Sequence, residues 1–161
     1  MGRERAAGPQ VNGKALCASA RTRRTTAKRV FISFKAEDKP QVDGLRLLAK
    51  NPNYELELYD ESVRAAIDSN DAAYIKRVIR EKISRAGVVL CLVSADTHTS
   101  AWVRWELETA IEMKKPILAM AVKGLTQAVL PAPIRNRVKF YAWNPGNLNA
   151  YLDDAQVVSG S

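Results

Sequence analysis

Six consecutive apolar residues, Val88-Val89-Leu90-Cys91-Leu92-Val93, stand in the middle of the chain. A run this short and β-branched, with no polar alternation, reads as a strand buried on both faces, the mark of a parallel sheet covered by helices. The next segment supplies one such helix. Ser100 is the expected N-cap, followed by Ala101-Trp102-Val103-Arg104-Trp105-Glu106-Leu107. At about 100° per residue, Val103, Leu107, Ala110 and Ile111 form one stripe facing the sheet, and Glu108 and Glu112 project into solvent. Glu106 lies about 60° from Val103, on the flank of that stripe, by the same arithmetic. Its carboxylate is therefore expected at the core boundary near the strand ends.

The remaining elements repeat the theme. Arg29-Val30-Phe31-Ile32-Ser33-Phe34 is short, β-branched and aromatic, and reads as a second buried strand. Residues 35–39 turn into a helix capped by Asp38 or Lys39, with Pro40 in its first turn and Val42, Leu45 and Leu48 or Ala49 on its apolar side. Residues 54–59 alternate like a half-exposed strand nearer a sheet edge, and 60–70 make a long polar connection. A helix starting at Asn70 or Asp71 buries Ile75, Val78, Ile79 and Ile83, solvates Arg77, Arg80, Lys82 and Arg85, and is followed by Gly87. Residues 116–122 and 138–141 read as the last strands, separated by a loop containing Pro131 and Pro133.

Strands alternating with helices predict an α/β fold, a flavodoxin-like three-layer sandwich whose five-stranded parallel sheet has the order 2-1-3-4-5. The expected domain is 28–152, between a basic disordered tail at 1–27 and a frayed end at 153–161. Ligands of such sheets bind at the carboxyl ends of the strands, where the strand order reverses. That rim gathers Phe34 and Lys35, Tyr59 and Asp60, Ser94, and the helix start from Trp102 to Glu106.

A formal charge of +8 would suggest nucleic acid were it spread over the body. Residues 1–29 hold eight basic side chains against Glu4 alone, leaving 17 basic and 16 acidic residues in the remainder. The body thus carries no charge argument for nucleic acid. The tail reads as disorder, an Arg-rich targeting peptide or an upstream extension, and Ala6 stands where a myristoylation motif at Gly2 wants Ser or Thr. No apolar run approaches membrane-spanning length, so a cytoplasmic protein is expected. Cys17 and Cys91 do not suggest a disulfide, and His98 without a Cys/His cluster offers no metal site. Glycine-rich phosphate loops are absent, which argues against a dinucleotide-binding dehydrogenase or a P-loop hydrolase. A Ser94, His98 and Asp60 hydrolase lacks the GxSxG elbow.

Arg29 to Phe34 with its acidic turn, the connection from Asp60, the strand 88–93 ending in Ser94, and the Trp102-x-x-x-Glu106 spacing together resemble a TIR domain. More narrowly, they resemble the TIR-like proteins of bacterial Thoeris anti-phage defence systems, over about residues 28–143. The resemblance implies cleavage of the nicotinamide–ribose bond of NAD, with Glu106 matching the catalytic glutamate. It further implies a cyclic ADP-ribose-type messenger or its hydrolysed counterpart, a separate effector that senses the product, and self-association for activity. NAD would be the substrate, with no other cofactor. Beside that resemblance, Phe34 and Trp102 are candidates for aromatic contact with NAD, and Ser33, Lys35, Asp60 and Ser94 for its ribose and phosphates. Two alternatives keep the fold: a non-enzymatic TIR interaction module, and a receiver-like phosphoacceptor. The latter wants an Asp where Ser94 follows the third strand.

Overall fold

The computed structural model describes residues 28–51, 56–59 and 69–159. The tail at 1–27, Asp60 and most of the connection that follows it lie outside the described residues. Strands β1 (Lys28–Ser33), β2 (Leu56–Tyr59), β3 (Val88–Val93), β4 (Pro116–Ala121), β5 (Phe140–Tyr141) and β6 (Gln156–Val157) alternate with helices α1 (Lys39–Ala49), α2 (Ala72–Arg85), α3 (Ala101–Glu112) and α4 (Leu148–Asp153). The sheet order β2-β1-β3-β4-β5 is parallel throughout, as the alternation of elements predicts. All six residues of β3 are buried.

Period-two alternation divides the core into two layers. Phe31, Val89, Cys91 and Val93 pack with Ile79 and Ile83 of α2 and with Val103 and Leu107 of α3. Val30, Ile32, Leu90 and Leu92 pack on the other side with Val42 and Leu45 of α1 and Leu148 and Leu152 of α4. The sheet is thus a two-faced partition, and each β1 side chain belongs to one layer or the other by its parity.

The carboxyl terminus corrects the expectation of fraying from residue 153. β6 pairs antiparallel with β4, matching Pro116 with Val157 and Ile117 with Gln156, and Val158 is buried. The reason lies in β5, which is shorter than expected and pairs only Ala119 and Met120 of β4. Its ladder begins with Ala119 N–H donating to the Lys139 carbonyl at 3.0 Å. The amino half of β4 is left with open hydrogen-bonding groups on that side, and β6 satisfies them.

Ser100 caps α3 as expected, its hydroxyl accepting from Val103 N–H at 3.2 Å. Removing it by Ser100→Ala is expected to cost about 1 kcal/mol, read as a lowered denaturation midpoint. At the other end of α3, Lys114 takes a left-handed conformation (φ 57°), and Lys115 N–H closes on the Ala110 carbonyl at 2.9 Å. This is the Schellman ending more usually made with glycine. Asp38 occupies the N-cap position of α1, yet its side chain makes no capping bond. That carboxylate is engaged elsewhere.

Candidate active site

Parity places Ser33 on the same side of the sheet as Phe31, the side covered by α3. There Ser33 Oγ donates to Glu106 Oε2 at 2.5 Å, and both residues are fully buried. Glu106 reaches this point because it sits on the inward side of α3, next to Val103 and Leu107, which are equally buried. Its charge also reaches Cys91, the β3 residue in register with Ser33. Burial, assisted by that charge, pushes the Cys91 thiol well above the usual range, so Cys91 acts as a small hydrophobe and not as a nucleophile.

An ionised carboxylate removed from water costs several kcal/mol unless its surroundings compensate. The Ser33 hydroxyl supplies a hydrogen bond that, for the ionised form, offsets part of this cost. Glu106 is the one fully buried acidic side chain among the described residues.

The other rim residues fall into separate groups. Lys35 Nζ donates to Asp96 Oδ2 at 2.5 Å, joining the loop after β1 to the loop after β3, with Glu37 at 3.9 Å. The bond to Asp96 raises the pKa of Lys35 against the opposing effect of burial, and it lowers that of Asp96. Ser94 Oγ donates to Asp38 Oδ2 at 2.7 Å. Burial raises the pKa of Asp38, the Ser94 bond opposes the rise, and the negative charges of Asp96 and Glu37 add to it. Trp102 is 9% exposed and meets Trp105 edge-on, with ring centroids 5.9 Å apart. Trp105 lies under Lys76 of α2 at 5.5 Å and packs, partly buried, on the core layer beneath α2 and α3.

Of the residues singled out in the sequence, Ser33 and Glu106 are in contact, and Lys35 and Ser94 lie on the adjoining loops. Phe34 is 1% exposed within the α1 and α4 layer, a core position by parity. Asp60 lies outside the described residues. Asp38, Asp96 and Thr97 belong to the rim but carry no motif, and Asp38 had the look of an ordinary helix cap.

A family model described as the TIR-like domain of the Thoeris protein ThsB matches residues 31–127. The chain belongs to that family. The matched ThsB segment contains both Ser33 and Glu106, with the carboxyl half of β1 and all of β3 and α3. Among solved structures, three similar ones share the fold of this ThsB-type domain at low identity. A 2-deoxyribosyltransferase of Bacillus psychrosaccharolyticus has a TM-score of 0.56 at 12% identity, over 76% of this chain and 91% of that one. The TIR domain of the Toll-related receptor TRR-2 from Hydra magnipapillata gives 0.51 at 13%, over 76% and 90%. The CMP N-glycosidase BcmB of Clostridium botulinum gives 0.51 at 16%, over 78% and 99%. No curated protein matches the ThsB-type sequence. Among the described residues, no helix is long and apolar enough to cross a membrane, and no cluster of three metal-ligating side chains occurs.

Proposed function

We propose that this chain cleaves the nicotinamide–ribose bond of NAD, with Glu106 as the carboxylate beside the anomeric carbon. Breaking that bond develops oxocarbenium character on the ribose, and a fixed negative charge stabilises the cation electrostatically or traps it covalently. Nicotinamide departs by taking the bonding electrons into its cationic ring, so the leaving group needs no proton. The observation that carries the reading is the buried Glu106 carboxylate, held by Ser33 at the carboxyl end of β1, beside the reversal of strand order between β1 and β3.

Membership of the Thoeris TIR-like family supports a TIR-type role, and two of the similar structures bear names that state 2-deoxyribosyl transfer and N-glycosidase activity. The ribosyl fragment is then captured by water or by a hydroxyl or base nitrogen of the same molecule. The second course gives a cyclic ADP-ribose-type messenger for a separate effector in anti-phage defence. Lys35 and Trp102 remain the nucleotide contacts of choice on the rim. In the present conformation Glu106 is sealed from solvent, so substrate reaches it only after covering atoms move aside. Self-association, which a high protein concentration favours, is the condition under which that opening is expected.

The test is incubation of concentrated protein with NAD, with nicotinamide followed by chromatography and the second product identified by mass spectrometry. Nicotinamide is expected together with ADP-ribose, or with a cyclic ADP-ribose lighter by the elements of water. Release no faster than in protein-free buffer overturns the proposal and leaves a non-enzymatic interaction module.

A further inference from the structure

The loops leaving β1 and β3 are tied together by a chain of hydrogen bonds that ends on the helix carrying Glu106. After β1, a 3-10 turn over Ala36–Asp38 closes with Asp38 N–H on the Lys35 carbonyl at 2.8 Å and presents the Asp38 carboxylate. Ser94 Oγ donates its single proton to Asp38 Oδ2 at 2.7 Å. The 2.9 Å contact between the Ser94 and Thr97 hydroxyls is therefore donated by Thr97. Thr97 Oγ1 in turn accepts from Ser94 N–H at 2.7 Å, and Thr97 is fully buried. The Thr97 carbonyl accepts from Ser100 N–H at 3.0 Å, and Ser100 Oγ accepts from Val103 N–H at 3.2 Å. Glu106 follows Val103 by three residues, just under one helical turn.

We infer that Asp38, Ser94 and Thr97 are positioning residues that fix the start of α3 against the end of β1 and so set where the Glu106 carboxylate stands relative to Ser33. The inference rests on the proposed role of Glu106, and it reassigns Ser94, whose hydroxyl is committed to Asp38 and not to a nucleotide. The donors and acceptors of the relay are used within the protein, which is the behaviour of a scaffold and not of a substrate contact. A reacting group displaced by about 1 Å loses on the order of a hundredfold in rate.

The experiment compares Asp38→Ala, Ser94→Ala and Thr97→Val, which each break the relay, with Asp38→Asn and Thr97→Ser, which keep an acceptor or a hydroxyl. Turnover of NAD gives kcat and KM, and hydrogen exchange without substrate reads the 94–107 segment. The breaking variants are expected to lower kcat by about tenfold or more, within the loss such misplacement allows, and to leave KM within about twofold. They should also speed exchange in 94–107, and the conservative pair should retain most of the wild-type behaviour. A raised KM with unchanged kcat for Ser94→Ala would make Ser94 a direct nucleotide contact and overturn the relay. Unaltered exchange in 94–107 overturns it whatever the turnover. If wild-type protein leaves NAD intact yet the breaking variants exchange faster, the NAD reading falls and the relay stands.

Discussion

Glu106→Gln is expected to lower nicotinamide release from NAD by at least about 100-fold, the scale on which loss of one preorganised electrostatic group acts. Glutamine keeps the side-chain length and an oxygen that accepts from Ser33 Oγ, so the bond seen at 2.5 Å has a substitute. What disappears is the negative charge that the proposed mechanism places beside the sugar cation. The same substitution removes an ionisable group from a fully buried position. The variant should therefore unfold at the same temperature as the wild type or higher, since a buried charge is costly to keep. Parallel measurement of nicotinamide release and of the thermal midpoint by circular dichroism separates the two effects. Equal release by both proteins would remove Glu106 from the chemistry.

The second large effect concerns stability. Phe31 lies in the middle of β1, is fully buried, and packs in the layer that α2 and α3 cover. Phe31→Ala deletes a whole aromatic ring from a closed space, a change that costs about 3–5 kcal/mol. Against a total of about 5–15 kcal/mol for a domain, that leaves a marginal fold. Urea denaturation should show the midpoint falling with little change in slope. Leu47→Ala, at a position 67% exposed, should stay within about 0.5 kcal/mol and serves as the comparison. A loss below 1 kcal/mol at Phe31 would contradict the packing described for β1. Because Ser33 is two residues further along the same strand, the weakened protein should also hold the Glu106 contact less well.

The sheet was legible in the sequence because its strands are apolar enough to be read without knowing their partners. β3 runs over the residues its composition marks out, and Ser100 caps the helix where the apolar stripe begins. The inward aim of Glu106 follows from helical arithmetic, although its complete burial does not. The sequence offers both Ser33 and Phe34 as nucleotide contacts, and strand parity separates them. Ser33 shares the side of Phe31 and meets Glu106, whereas Phe34 shares the layer of Val30 and Ile32. The alternation needed for that distinction was present in the sequence. The Asp38–Ser94 bond was not, since it joins residues 56 apart through two loops whose approach only the folded sheet defines. β6 was equally hidden: Gln156 and Val157 have no strand pattern of their own, and they pair because β5 stops short.

Two short strands sharing one flank of β4 have a bearing on how copies of the protein could associate. β5 and β6 lie at different heights on that flank and contribute two residues each, so neither presents a row of free amides long enough to template an incoming strand. Lateral growth by strand addition is blunted at this margin. An assembly that brings several copies together must be built through helical faces and loops, or from the opposite border of the sheet along Leu56–Tyr59.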